Sequence, residues 1–165
     1  MANSKIQLIN QDLLQRVSKK AKEAPRRRIN HNFHQLPDPV QRFLNGIEPD
    51  SYIRPHRHID PLKDEIFLVL KGKGAVFIFE EDGTISETCL LDPEKDLWGV
   101  DIPGGLYHCI ISLEEGSVFY EVKQGPYLPA TAKHFASWAP EENTPESQKY
   151  LEKLKAAATS FLSNS

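Results

Sequence analysis

The chain has 165 residues, a formal net charge of -3 and 39% hydrophobic residues. This length predicts one domain with its own core, and the slightly negative charge excludes the global positive field that draws proteins to nucleic acid. The longest apolar run falls far short of the roughly 18 residues that a membrane helix needs. Two cysteines, Cys89 and Cys109, fit neither a metal spacing nor a disulfide framework, so we expect reduced thiols and a cytoplasmic protein.

The first element is an amphipathic helix predicted over residues 10–23, with Asn10 as its N-cap. After Ala24-Pro25 ends this helix, the alternation within Arg26–His34 predicts a short strand. Three consecutive arginines open that strand. They fit a solvated segment, or an anion site, because guanidinium groups match the geometry of carboxylates and phosphates.

A second, short helix is predicted from Asp38, with Pro39 at its first position and Gly46 at its end. A last helix begins at Thr144. Between them the pattern changes to short strands separated by glycine-containing turns, which favours a sandwich or barrel over a parallel α/β sheet. The predicted strands lie at about 51–58, 64–71, 74–81, 84–91, 96–102, 107–113 and 117–123.

The strongest functional signal is a set of four potential metal ligands. His56 and His58 form an H-x-H pair, and alternate residues of a strand point to the same face. Glu65 opens the next apolar strand, and His108 follows a Pro-Gly-Gly turn. Three imidazoles and a carboxylate suit one divalent ion such as Zn, Fe, Mn or Ni, and they leave positions open on an octahedral ion. Cys109 points away by the same alternation.

The same residues resemble the two motifs of the cupin superfamily. His56, His58, Glu65 and Gly72 match the first motif, and Pro103, Gly105 and His108 match the second. Six residues separate His58 from Glu65, where the common pattern has three or four, and Ser112 stands where an asparagine is frequent.

One branch of the superfamily, the WbuC-type cupin-fold metalloproteins, is similar over most of the chain. This resemblance implies a mainly β fold, the cupin double-stranded β-helix, a jelly-roll-like barrel with N-terminal and C-terminal helices. We expect a single cupin domain over residues 1–165. It has a helical extension at about 10–24, a core at about 26–125 and a C-terminal extension with a helix at about 126–163. The resemblance also implies a homodimer and a setting in surface-polysaccharide metabolism. The segments that carry it are Arg28–Asn30 with His34, Asp38–Arg42, Ser51–His58, Phe119–Tyr127 and Trp138–Glu141.

These residues predict a small metal-dependent enzyme, of the isomerase or epimerase kind, acting on an anionic or sugar-like metabolite. Glu65 and Tyr52 are the predicted catalytic residues, with Tyr52 donating a hydrogen bond or a proton. Two alternatives stay open: an Fe(II)-dependent oxygenase, and a non-catalytic sugar-binding or metabolite-binding metalloprotein. We expect a small-molecule ligand, with neither nucleic acid nor membrane as a partner. The predicted substrate contacts are Arg28, Asn30, His34, Arg54 and Lys63.

Overall fold

The computed structural model describes residues 6–130 and 133–164. Over these residues the chain forms ten strands flanked by two α-helices. The helices are α1 (Gln11–Glu23) and α2 (Pro145–Asn164). The strands are β1 (Arg28–Asn32), β2 (Val40–Ile47), β3 (His56–Arg57), β4 (Glu65–Lys71), β5 (Gly74–Phe79), β6 (Ile85–Leu91), β7 (Gly99–Ile102), β8 (Tyr107–Ser112), β9 (Ser117–Gln124) and β10 (His134–Phe135).

The strands form two five-stranded antiparallel sheets that face each other. The first sheet has the order β1-β2-β9-β4-β7, and the second has the order β10-β3-β8-β5-β6. Most consecutive strands in the middle of the chain therefore alternate between the sheets, and β4 and β8 lie on opposite sides of the interior. The predicted mainly β fold, the cupin double-stranded β-helix, is confirmed.

Apolar side chains fill the space between the sheets, and each helix covers one outer face. Phe67 and Phe119 of the first sheet meet Val76 and Ile110 of the second sheet in this inner core. On the first sheet, α1 packs its Leu13, Leu14 and Val17 against Leu44 and Val118. On the second sheet, α2 packs Leu151 and Leu154 over Phe77, Cys109 and Ile111. Both outer layers brace the sheets that carry the candidate site.

The N-terminal caps predicted for the first and last helices are confirmed. The Leu13 amide donates to Asn10 Oδ1 over 3.1 Å, which satisfies one of the free N–H groups at the start of α1. The Ser147 amide donates to Thr144 Oγ1 over 3.1 Å at the start of α2. No helix within the described residues is both long and apolar enough to cross a membrane.

The helix predicted from Asp38 is wrong, because residues 40–47 form β2, a central strand between β1 and β9. Both faces of this strand are covered. Phe43 and Ile47 point into the interior between the sheets, while Leu44 points towards α1. Because both faces carry apolar residues, the sequence of this strand lacks the apolar–polar alternation that predicts a half-buried strand. The helix was predicted instead because Asp-Pro is a common helix start. Gly46 lets α1 approach, since a Cβ there would lie 2.9 Å from Val17 Cγ1.

Candidate metal centre

His56 and His108 are direct neighbours on adjacent strands of the second sheet. His56 of β3 pairs with His108 of β8 in the antiparallel register, so both side chains point to the same face. Their ring centroids lie 4.8 Å apart, and both residues are buried. His58 follows two residues later with its ring centroid 5.2 Å from that of His56. The Gly105 amide donates to the His58 carbonyl over 3.1 Å and ties this segment to the Pro-Gly-Gly turn.

Glu65 approaches the three histidines from the opposite sheet. It begins β4, where Glu65, Phe67 and Val69 are buried and the residues between them are exposed. The neighbouring Asp64 points outward, and its Oδ1 accepts a hydrogen bond of 2.8 Å from the Gly104 amide. The strand alternation thus selects Glu65 for the interior and Asp64 for the turn.

The four side chains converge on one small volume. One potential ligand atom from each of His56, His58, Glu65 and His108 lies within 4.8 Å of the others, and all four residues are buried. Glu65 Oε1 lies 2.9 Å from His58 Nε2, and Glu65 Oε2 lies 2.8 Å from His108 Nε2. The group could hold a metal ion.

Hydrogen bonds to the far side of two rings support a cation at this point. His56 Nδ1 lies 3.0 Å from the Arg54 carbonyl oxygen, and His108 Nδ1 lies 2.9 Å from that of Leu106. A carbonyl only accepts, so Nδ1 carries the proton in both rings, and the neutral ring has a lone pair at Nε2. This backbone hydrogen bond is the usual outer contact of a metal-bound histidine.

Buried polar atoms without partners point to the same conclusion. Among the described residues, His58 Nε2, His108 Nε2 and Glu65 Oε2 make no hydrogen bond. A carboxylate oxygen facing an imidazole lone pair at 2.8 Å is repulsive unless a positive charge lies beside both atoms. The donor set therefore fits a divalent cation.

The pKa shifts agree with these ligand forms. Burial, together with the nearby Lys133 and His108, lowers the pKa of His56 well below its usual value. Burial alone would raise the pKa of Glu65, but the Lys123 ammonium more than offsets it, so this pKa lies well below its usual value. A neutral imidazole and an ionised carboxylate are the forms that bind metals.

Lys123 and Glu121 extend the site along β9, and neither was predicted from the sequence. Lys123 Nζ donates to Glu65 Oε1 over 2.8 Å and to Glu121 Oε1 over 2.7 Å. Asn45 Nδ2 donates to the other oxygen of Glu121. Burial alone would lower the pKa of Lys123, but the two carboxylates raise it. Lys123 therefore holds Oε1 of Glu65 and leaves Oε2 for a cation.

A cavity of about 330 Å³ opens from the metal ligands towards β1 and β2. His56, Glu65 and His108 line its base, and Phe67 and Ile110 give it an apolar side. Its volume lies within the range of about 300–1,000 Å³ that is typical of small-molecule sites. The other wall is polar and is formed by Arg26, Arg28, Asn30, Asn32, His34, Gln41, Asn45, Glu121, Lys123, Tyr127 and Lys133.

Three of the predicted substrate contacts lie on this wall. Arg28, Asn30 and His34 occupy alternate positions along β1 and just beyond it, so they share the face that lines the cavity. The Arg28 guanidinium is already engaged, because it donates to Glu142 Oε2 over 2.6 Å and to the Tyr52 carbonyl over 2.8 Å. Asn30 is exposed.

The two remaining predicted substrate contacts, Arg54 and Lys63, and the predicted catalytic residue Tyr52 do not line the cavity. Arg54 donates to the Ala136 carbonyl, and Lys63 donates to the Pro126 carbonyl, each over 2.8 Å. The Tyr52 hydroxyl donates to the Pro140 carbonyl over 3.1 Å, and its ring lies in the core beneath α2. The strand predicted at 51–58 is limited to His56 and Arg57, so the alternation of side chains does not extend back across Pro55.

The fold and this group of ligands define a cupin-type β protein with a group that could bind a metal. The chain belongs to the family described as a domain of unknown function, DUF6016, whose model matches residues 9–91. None of the curated proteins matches the chain.

Several solved structures are similar to this one. The capsular polysaccharide assembling protein CapF from Staphylococcus aureus is 24% identical with a TM-score of 0.53, covering 66% of this chain and 32% of CapF. A structure of CapF with the inhibitor 3-isopropenyl-tropolone is 26% identical at the same TM-score, covering 66% of this chain and 33% of CapF. TT1209 from Thermus thermophilus is 17% identical with a TM-score of 0.52, covering 72% and 97% of the two chains. The chain spans about a third of the length of CapF.

Proposed function

We propose that this protein is a metal-dependent enzyme that isomerises or epimerises an anionic or sugar-like metabolite. The observation that carries the proposal is a cluster of four buried ligand groups, of which His56, Glu65 and His108 line the base of an open, polar cavity. A buried cluster used only for structure has no need of such an opening, whereas a catalytic metal needs access for its substrate.

His56, His58, Glu65 and His108 would hold the ion, which could be Zn, Fe, Mn or Ni. When bound, it supplies Lewis-acid polarisation of a carbonyl or hydroxyl oxygen. Lys123 orients Glu65, and the backbone carbonyls of Arg54 and Leu106 orient two of the rings. The chain therefore provides a rigid ligand set whose orientation does not depend on the substrate.

The polar wall suits a polyhydroxylated substrate. Asn30, Asn32 and Gln41 line the cavity, and their amides can donate to and accept from sugar hydroxyls. Phe67 and Ile110 supply apolar surface beside the base, which suits the C–H face of a sugar ring. Together they support a small sugar-like molecule over a purely apolar ligand.

Similarity to CapF supports a setting in surface-polysaccharide metabolism, because the Staphylococcus aureus protein is a capsular polysaccharide assembling protein. CapF also binds 3-isopropenyl-tropolone as an inhibitor. Tropolones carry a carbonyl and a hydroxyl on adjacent carbons, an oxygen pair suited to chelating a cation. Assignment to the WbuC-type branch is part of this proposal and rests on the motifs described above.

Carbon-bound hydrogen exchange tests the proposal directly. The metal-loaded protein is incubated in deuterated water with a panel of sugar phosphates and nucleotide-linked sugars, and deuterium at ring carbons is followed by NMR. We expect exchange with at least one compound, and we expect its loss after chelation and in His56→Ala. Cys109→Ser, a substitution on the opposite face of β8, serves as the matched control and should keep the exchange. Exchange that persists in His56→Ala, or its absence with every compound, would contradict the proposal.

A further inference from the structure

The cavity is positive although the chain is negative overall. Four cationic side chains, Arg26, Arg28, Lys123 and Lys133, line it against the carboxylates of Glu65 and Glu121, while the whole chain has a formal net charge of -3. A bound divalent ion would add to this excess. Such a cavity concentrates anions at the site.

Two of the four cations are already neutralised by carboxylates. Arg28 forms an ion pair of 2.6 Å with Glu142, and both side chains are largely shielded from water. Lys123 lies between two buried carboxylates, at 2.8 Å from Glu65 and 2.7 Å from Glu121. A ligand could recruit either cation only by breaking a buried ion pair, which is costly.

Arg26 and Lys133 are different, because neither side chain has a hydrogen bond or ion pair with any described residue. Arg26 is the one member of the arginine triplet left without a carboxylate among the described residues, since Arg27 pairs with Asp50 and Arg28 pairs with Glu142. Both unpaired cations line the same cavity, Arg26 before β1 and Lys133 before β10.

Lys133 lines the same cavity as the metal ligands at its base. Its ammonium is close enough to interact electrostatically with Lys123, Glu121, Glu65 and Arg28, and it acts on His56 from the same position. Although the residue as a whole is exposed, loss of hydration at its ammonium, with the neighbouring Lys123 cation, lowers the pKa of Lys133 to about 8. A cation held here beside other cations is stabilised by an incoming anion.

We propose that Lys133, with Arg26, binds the carboxylate or phosphate group of the substrate, while the uncharged part of that substrate faces the metal ligands. This inference rests on the proposed function in taking the cavity as the substrate site, and it narrows the substrate class to anionic sugar-like metabolites. It also places the anion on cations different from Arg28, Arg54 and Lys63. Each of those three already donates to a carboxylate or carbonyl within the chain.

Anion affinity in matched variants tests the inference. Inorganic phosphate, glucose 6-phosphate and glucose are titrated calorimetrically into the full chain with its metal, and metal content is checked in each variant by elemental analysis. Lys133→Met should weaken the binding of inorganic phosphate and of glucose 6-phosphate at least tenfold and leave any glucose binding unchanged. Arg26→Gln should also weaken phosphate binding, whereas Lys133→Arg, which keeps the positive charge, should bind phosphate about as tightly as the unmodified chain. Lys149→Met removes the same charge from an exposed position on α2 and should have no effect.

Equal phosphate affinity in Lys133→Met and Lys149→Met at equal metal content, or no phosphate binding by the unmodified chain, would overturn the inference. The outcome is separable from that of the proposed function, whose readout is hydrogen exchange. A selective loss in Lys133→Met without any exchange would establish an anion site and refute the enzyme. Exchange with equal affinities in the two variants would support the enzyme and refute this anion site.

Discussion

His108 Nε2 lies 2.8 Å from Glu65 Oε2 across the space between the two sheets. Neither atom has a hydrogen-bond partner among the described residues, and both side chains are almost fully buried. Two acceptor atoms at this distance in a medium with little water need a cation beside them. This contact joins the first sheet to the second sheet at the base of the cavity, so an ion held here would couple metal binding to the packing of the sheets.

The ion pairs of Lys123 should be important for stability. Lys123→Met leaves Glu65 and Glu121 buried without the ammonium between them, and we expect a loss of about 3–5 kcal/mol in the free energy of unfolding. Glu121→Gln in the Lys123→Met background removes one of the two buried carboxylates left unpaired. The double variant should therefore lose less free energy of unfolding than the sum of the losses in the two single variants. Urea unfolding of the four proteins measures this coupling. Additive losses would show that the network contributes no specific interaction.

Acid should destabilise the fold through His56. Its pKa is lowered by burial in the folded chain, whereas the unfolded chain titrates near 6.5. Below about 6.5 the unfolded state therefore binds a proton that the folded state does not, and the free energy of unfolding falls as the pH falls. Bound metal acts in the same direction, because it requires the neutral ring.

Denaturant unfolding between pH 5 and pH 8 checks this pH dependence, with His56→Gln as the comparison. The variant should show a shallower fall towards acid. Identical pH profiles for the two proteins, or a wild-type stability that rises on acidification, would contradict the assignment of this effect to His56.

Tyr52 should contribute to stability and not to chemistry. Its hydroxyl donates to the Pro140 carbonyl beneath α2, away from the cavity. Tyr52→Phe removes this hydrogen bond, so the free energy of unfolding should fall by about 1 kcal/mol. Metal content and hydrogen exchange should not change. A variant of normal stability that has lost hydrogen exchange would instead restore Tyr52 as a catalytic residue.

Strand alternation predicted much of the site. It predicted that His56 and His58 share a face, that Glu65 lies with Phe67 and Val69, and that Cys109 points away. These predictions needed only regular strands or short distances from a strand end. The same rule gave the wrong direction for Tyr52 and Arg54, because residues 51–55 form no strand and their side chains follow local contacts instead.

Glu121 and Lys123 could also have been found by alternation, since they share the buried face of Phe119 on β9. Their role at the site depends on a neighbouring strand, however, because β9 pairs with β4 and places Lys123 opposite Glu65. A single sequence does not state which strands are adjacent. Lys133 lies in an irregular segment before β10 and had no periodic signal at all.

Metal content in purified variants tests the central claim most directly. Elemental analysis should find close to one divalent ion per chain in the unmodified protein, in Cys109→Ser and in His134→Ala, whose histidine is exposed on β10. His56→Ala and His108→Ala should each contain almost none. Equal metal content in all five proteins would contradict a shared ion held by His56, His58, Glu65 and His108.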